Sequence, residues 1–234
     1  MASNTRTIQN SIDWATFYIG RRPAAVLNSE PALTSANLVQ QTILAPPFKW
    51  PWNRAVASFA QPSTDTPQSL ATFGWIEKAS VTDGSGNVYE IPTIKMELTQ
   101  DAGTGRANSI GVFLDDNNGN ITFRFLPGTP DQAYTVKVIY QQRAPLMTTL
   151  STVWTIPDMY GHIYNWGFLA LMQLFADDTR FQVANSKFIA SLLAVSEGLT
   201  EQDKAIFMNQ WENVTLAAVR GANKTQQGYA GRQI

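Results

Sequence analysis

Ile121-Thr122-Phe123-Arg124-Phe125 and, after the turn residues Pro127-Gly128-Thr129-Pro130-Asp131, Tyr134-Thr135-Val136-Lys137-Val138-Ile139-Tyr140 decide the fold class. Successive side chains of a strand point to opposite faces, so this alternation puts Ile121, Phe123 and Phe125 on one face. Tyr134, Val136, Val138 and Tyr140 share a face in the same way, while Arg124 and Lys137 point away. A half-buried antiparallel sheet follows. Upstream, Ile110-Gly111-Val112-Phe113-Leu114 meets the turn Asp115-Asp116-Asn117-Asn118-Gly119-Asn120, which predicts a three-strand meander over 110–140. A further hairpin is predicted where Asp83-Gly84-Ser85-Gly86-Asn87 separates a strand containing Phe73, Trp75 and Glu77 on one face from Val88-Tyr89-Glu90-Ile91.

On both sides of this block the period is 3.6. Ile8, Ile12, Ala15 and Ile19 predict an amphipathic helix ended by Gly20, and a second helix is expected between Pro31 and Leu44. Pro157-Asp158 reads as the start of a helix that is apolar nearly all round up to Phe175, and such a helix is usually central. Asp177-Asp178 can cap the next helix, with Phe181, Ala184, Phe188, Leu192 and Val195 in one stripe and Gly198 as its stop. Thr200 with Asp203 forms a capping box for a third, carrying Phe207, Trp211, Val214 and Ala218.

The order of helices, strands and helices, without strand–helix alternation, predicts α+β architecture: a helical bundle from the N- and C-terminal helices with an inserted antiparallel β-sheet domain and an extended C-terminal arm. The expected boundaries are 1–45 for the N-terminal helical part, 46–69 for a Pro/Trp-rich linker and loop, and 70–145 for the β domain. The C-terminal helical part follows at 146–220 and the arm at 221–234.

The 234 residues carry 17 Lys+Arg against 18 Asp+Glu, so bulk electrostatics do not suit a protein that grips phosphate backbones. Having no cysteine, the chain can build neither disulfides nor thiolate sites. Its polar N-terminus lacks a secretory signal, and its longest apolar run, around Trp166–Met172, is too short to span a bilayer. The expectation is a protein made in the cytoplasm, without membrane contact.

Chemistry-bearing motifs are thin. His162 is the only histidine and reads as a core or interface residue, since no nucleophile motif offers it a partner. Gly103-Thr104-Gly105-Arg106 lacks the third glycine of a dinucleotide loop, and the Asp83 and Asp116 turns lack the glycine and glutamate spacing of a calcium loop. The reading therefore assigns no catalytic residue, no cofactor and no metal. Trp50, Trp52 and Arg54 read instead as an anchor for a loop on the body of the protein, on a neighbouring subunit or on another partner.

The segments Gly119–Pro127 and Pro130–Gln141, then Ile156-Pro157-Asp158-Met159-Tyr160 opening a hydrophobic helix and the junction Asp177-Asp178-Thr179-Arg180-Phe181, resemble the head-to-tail connector, or adaptor, proteins of tailed bacteriophages. The likeness covers about residues 70 to 215. It implies a non-enzymatic structural virion protein at the head–tail interface, assembled as a homo-oligomeric ring of twelve copies below the portal protein and meeting tail or nozzle proteins on its other side. DNA would pass through the lumen without sequence-specific binding. The resemblance further implies portal docking by the C-terminal segment, here Arg220, Lys224, Tyr229, Arg232 and Ile234. The alternative is a capsid cement or tail-attachment protein that binds through its β domain.

Overall fold

The computed structural model describes residues 4–19, 31–63, 65–94, 103–116, 118–176, 178–196 and 199–227. The chain divides into two compact units, Met1–Phe48 with Ala144–Ile234, and Lys49–Arg143. The architecture is mixed α+β.

The first unit is helical. Its elements are α1 (Ile8–Ile19), α2 (Ala32–Leu44), α3 (Gly161–Phe175), α4 (Phe181–Val195) and α5 (Glu201–Gln227). Helix α3 packs against each of the other four, as its all-round apolarity predicts: Ile163, Phe168, Leu169, Ala170, Leu171 and Met172 are fully buried. Close approach is achieved at Gly167, where an added Cβ would lie 2.8 Å from Phe188 and 3.0 Å from Val39. Trp211 on α5 packs on Phe188 of α4 with ring centroids 4.7 Å apart and donates its indole N–H to Asn185. The Thr200–Asp203 capping box is formed in both directions, satisfying two N–H groups at the start of α5.

Side-chain amides of α2 hold the chain that returns from the sheet. Asn37 bonds both the N–H and the C=O of Met147, while Gln40 donates to the Pro145 carbonyl and accepts the Thr155 N–H. One turn apart on the helix, these two amides satisfy extended backbone as a neighbouring strand would. Within the core, Trp154 donates to Ser11 at 3.0 Å and Ser11 donates to Asn165 at 2.8 Å, so the buried polar groups of α1 and α3 satisfy one another.

The second unit is a pair of antiparallel sheets. Its strands are β1 (Arg54–Ala60), β2 (Thr66–Ser69), β3 (Phe73–Thr82), β4 (Val88–Ile91), β5 (Ser109–Asp115), β6 (Asn120–Leu126) and β7 (Thr135–Gln142). One sheet has the order β1-β7-β3-β4 and the other β2-β6-β5. They share one core, in which Phe59 of β1 stacks on Phe123 of β6 at 5.6 Å. The faces expected for β6 and β7 hold: Ile121, Phe123, Phe125, Tyr134, Val136, Val138 and Tyr140 are all buried. The two predicted hairpins also form, β3–β4 and β5–β6, and they are twins. Asp83 accepts the N–H groups of Ser85 and Asn87, and Asp116 those of Asn118 and Asn120, with Gly86 and Gly119 supplying the positive φ.

Several expectations are corrected. The meander is broken, because β7 leaves the β5–β6 hairpin and enters the other sheet between β1 and β3. The segment 46–69 is not a linker, since it supplies β1 and β2, and the β unit begins at Lys49 rather than 70. Small inward residues, Ala55 and Ala57, hid the first of these strands, and Pro67 is tolerated in the second because β2 is an edge. In β3, bulges between Phe73 and Trp75 and between Ile76 and Lys78 shift the alternation, so Phe73 shares its core face with Ile76, Ala79 and Val81 instead of with Trp75 and Glu77.

Helix α5 continues through Gln227, so residues 221–227 are not an extended arm. The backbone ladder needs no apolar face, and Ala222, Lys224, Gln226 and Gln227 are good helix formers that outweigh Gly221. Residues 228–234, with Tyr229, Arg232 and Ile234, lie outside the described residues, as do the expected helix stops Gly20 and Gly198 and the cap residue Asp177. Asp178 accepts the Arg180 N–H just before α4.

Candidate functional site

The Pro/Trp stretch is fastened to its own chain by one buried amide. Gln141, on the outer face of β7 and fully buried, accepts the Trp50 N–H and donates to the Trp50 carbonyl, both at 3.2 Å. The same side chain donates to Glu77 at 2.8 Å, and Asn53 donates to the Gln142 carbonyl at 2.7 Å. Arg54 then grips the Glu77 carboxylate with both Nε and Nη2. Burial pushes the Glu77 carboxyl up, but the hydrogen bonds from Arg54 and Gln141 and the nearby positive charges outweigh it, leaving the group below its ordinary range. The Glu77 hydrogen bond raises the Arg54 guanidinium in turn.

For Trp50 the first of the anchor readings, packing on the body of the protein, is the one that holds. Trp50 is 4% exposed and serves the fold of its own chain, so it is not offered to a partner. Trp52 is half-buried with its ring 5.7 Å from that of Trp50. Arg54 keeps an exposed edge, at 38% of its side chain. Glu77 and Gln141, which complete the set, carry no motif in the sequence. The one available signal was the pair Gln141-Gln142 closing a strand whose preceding residues, Val138-Ile139-Tyr140, are apolar.

On the helical unit, Trp14 and Tyr18 of α1 meet Trp166 of α3, with ring centroids between 4.8 and 5.5 Å apart. Lys187 of α4 lies 4.3 Å from the Trp166 ring, a cation–π contact that ties three helices at the surface. Phe17, also on α1, is 90% exposed.

His162 is in the first turn of α3 and exposed, not in the core. Gly103–Arg106 is a loop, as expected; Thr104 bridges to Thr129, and Arg106 stacks over the Tyr89 ring at 3.6 Å. Among the described residues, no group of three His, Asp or Glu side chains is placed to hold a metal ion, and no helix is long and apolar enough to cross a membrane. Arg220 and Lys224 fall within the last turns of α5. No protein-family model matches the chain, and no curated protein does.

Proposed function

We propose that this chain is a structural, non-enzymatic virion protein that forms a twelve-copy ring beneath the portal of a tailed bacteriophage, joins head to tail and continues the DNA channel. The observation that carries the reading is helix α5. It is tied to the helical unit by Phe207 and Trp211, then runs on from Trp211 to Gln227, about 24 Å at the helical rise. After Glu212 the chain has three basic residues, Arg220, Lys224 and Arg232, and no acidic one. A long basic element of this kind suits an acidic groove on a neighbouring ring.

In this reading the helices pack as a bundle around α3 and make the ring contacts, and the docking element is the end of α5 together with residues 228–234. Near-zero net charge suits a conduit through which DNA slides without sticking. The resemblance of residues 70 to 215 to connector proteins supports the same conclusion.

The test is mixing. The purified full-length chain, combined with portal rings of the same virus, migrates with them as a complex, and deletion of residues 221–234 abolishes co-migration. Binding to assembled empty capsids with indifference to portal rings would instead establish the cement reading.

A further inference from the structure

A sheet with free edges must guard them or use them, because an unpaired row of N–H and C=O groups recruits another strand. Two of the four edges in this unit are guarded: strand β2 carries Pro67, and β5 has a bulge between Val112 and Leu114 and ends in Asp115. Strand β4 is short, at four residues, but has neither proline nor bulge. Strand β1 is also unguarded. Its seven residues contain no proline, lysine or bulge, they pair in unbroken register from Arg54↔Gln141 to Ala60↔Thr135, and among the described residues they pair only with β7.

We propose that β1 of one copy pairs antiparallel with β4 of the next, joining the four-stranded sheets edge to edge, with Arg54 opposite Glu90, Ala55 opposite Tyr89 and Val56 opposite Val88. The proposal rests on the ring reading above in taking the neighbour to be another copy of this chain.

Direction permits the pairing. Neighbours in the order β1-β7-β3-β4 are all antiparallel, so β1 and β4 run in opposite senses and the next β1 continues the alternation. Face parity restricts the register to steps of two, since Ala55, Ala57 and Phe59 pack on the core side and so does Ile91. One step satisfies three pairs at once. It brings together Val56 and Val88, which are 57% and 67% exposed. It sets a small inward residue, Ala55, beside a large one, Tyr89. It also places Arg54, already held by Glu77, against Glu90, already held by Lys78 at 2.9 Å, so that Glu77, Arg54, Glu90 and Lys78 alternate in sign across the seam. The next step along sets Val56 against Glu90 and Arg54 against Pro92, and loses the valine pair and the charge pair.

A contact between two different edges is head-to-tail, the kind that closes into rings. Four strands advance the sheet by roughly 19 Å per copy, and because Val88 shares a row with Ala60 through Thr82 and Thr135, the seam also offsets each copy by four residues, roughly 13 Å, along the strands; twelve copies then close at roughly 90 Å across.

The chain has no cysteine of its own, so engineered thiols report without background. Val56→Cys and Val88→Cys sit on exposed side chains. Within one copy they are three strand spacings apart across the sheet and four residues apart along it, roughly 19 Å, beyond disulfide reach. Under mild oxidation, alone and with portal rings, a mixture of the two single variants gives a dimer on non-reducing gels, and the double variant gives a ladder that collapses with reductant. Self-dimers of Val56→Cys formed as readily as the mixed dimer overturn the proposal. So does a ring seen by native mass in which no ladder forms; that result leaves the ring reading standing. A wild-type chain that stays monomeric by native mass in both conditions removes the ring reading and the pairing together. Independently, Val88→Asp keeps the melting temperature and weakens association by about tenfold or more; unchanged association counts against the seam.

Discussion

Asp158 holds Thr5 across most of the chain's length: both carboxylate oxygens accept the Thr5 N–H at 3.1 Å, and Oδ2 accepts its hydroxyl at 2.6 Å. The Arg6 N–H joins at 3.2 Å. Read from sequence as a helix start, this aspartate does open the 3-10 turn Asp158–Tyr160 that leads into α3, and it also ties the N-terminal segment to that turn, beside the Thr7–Val153 bridge.

Asp158→Ala therefore costs about 1–2 kcal/mol, the usual loss of a charge-assisted cap, and speeds amide exchange at Thr5 and Arg6. Burial raises the Asp158 carboxyl, but the Thr5 and Arg6 hydrogen bonds and the Arg6 charge hold it below the ordinary value. Its contribution is thus fully present above the unfolded carboxyl pKa of about 3.9 and is lost as pH falls through the lower folded value. Denaturant titrations of wild type and Asp158→Ala should converge on acidification; a constant gap would contradict the assignment.

Gly167→Ala pits two effects against each other. Alanine favours a helix interior by about 1 kcal/mol over glycine, yet here its Cβ meets the fully buried Phe188 ring at 2.8 Å. Overpacking of a close helix crossing costs about 1–3 kcal/mol, so the variant is less stable despite its better propensity. A raised melting temperature would show that α3 and α4 can separate without loss.

Replacing Gln141 by leucine leaves the Trp50 N–H and carbonyl without their side-chain partner and removes a donor from Glu77. The expected loss is about 2–3 kcal/mol, with a shift in tryptophan fluorescence as the 50–53 turn loosens. Glu77 is held below its ordinary range in part by this amide. Above the unfolded glutamate pKa of about 4.3 the wild type thus keeps an advantage that fades as pH drops through the folded pKa of Glu77. Urea midpoints measured from neutral to acid pH decide the point.

What was legible in the sequence follows from which residues carried a local signal. Strand β6 is central in its sheet with one buried face, so Ile121, Phe123 and Phe125 announce it; α1, α2 and the Thr200–Asp203 cap are local in the same sense. Strand β1 hid because alanines fill its inward positions, and β3 was misphased because two bulges each consume a residue. Neither the partition of strands between two sheets nor the dependence of Trp50 on Gln141, 91 residues away, leaves a local trace. The length of α5 was underestimated because residues 221–234 offer no apolar stripe to a core, although a helix needs none to form and can absorb about 1 kcal/mol for Gly221 when good formers follow.

If the basic end of the chain docks on an acidic portal surface, the attraction must be electrostatic in origin and must respond to salt. Arg220, Lys224 and Arg232 follow the last acidic residue, Glu212, so nothing in their own segment offsets them. Reversing Lys224 and Arg232 together to glutamate should weaken co-migration with portal rings by about tenfold or more at low ionic strength, since like-charge juxtaposition costs several kcal/mol at an interface. The wild-type complex should loosen as salt shortens the Debye length from about 10 Å at 0.1 M to about 3 Å at 1 M, while the reversed variant changes little. Both substitutions lie well past Trp211, so melting of the helical unit should not move. Salt-independent binding that survives the reversal would assign docking to another surface.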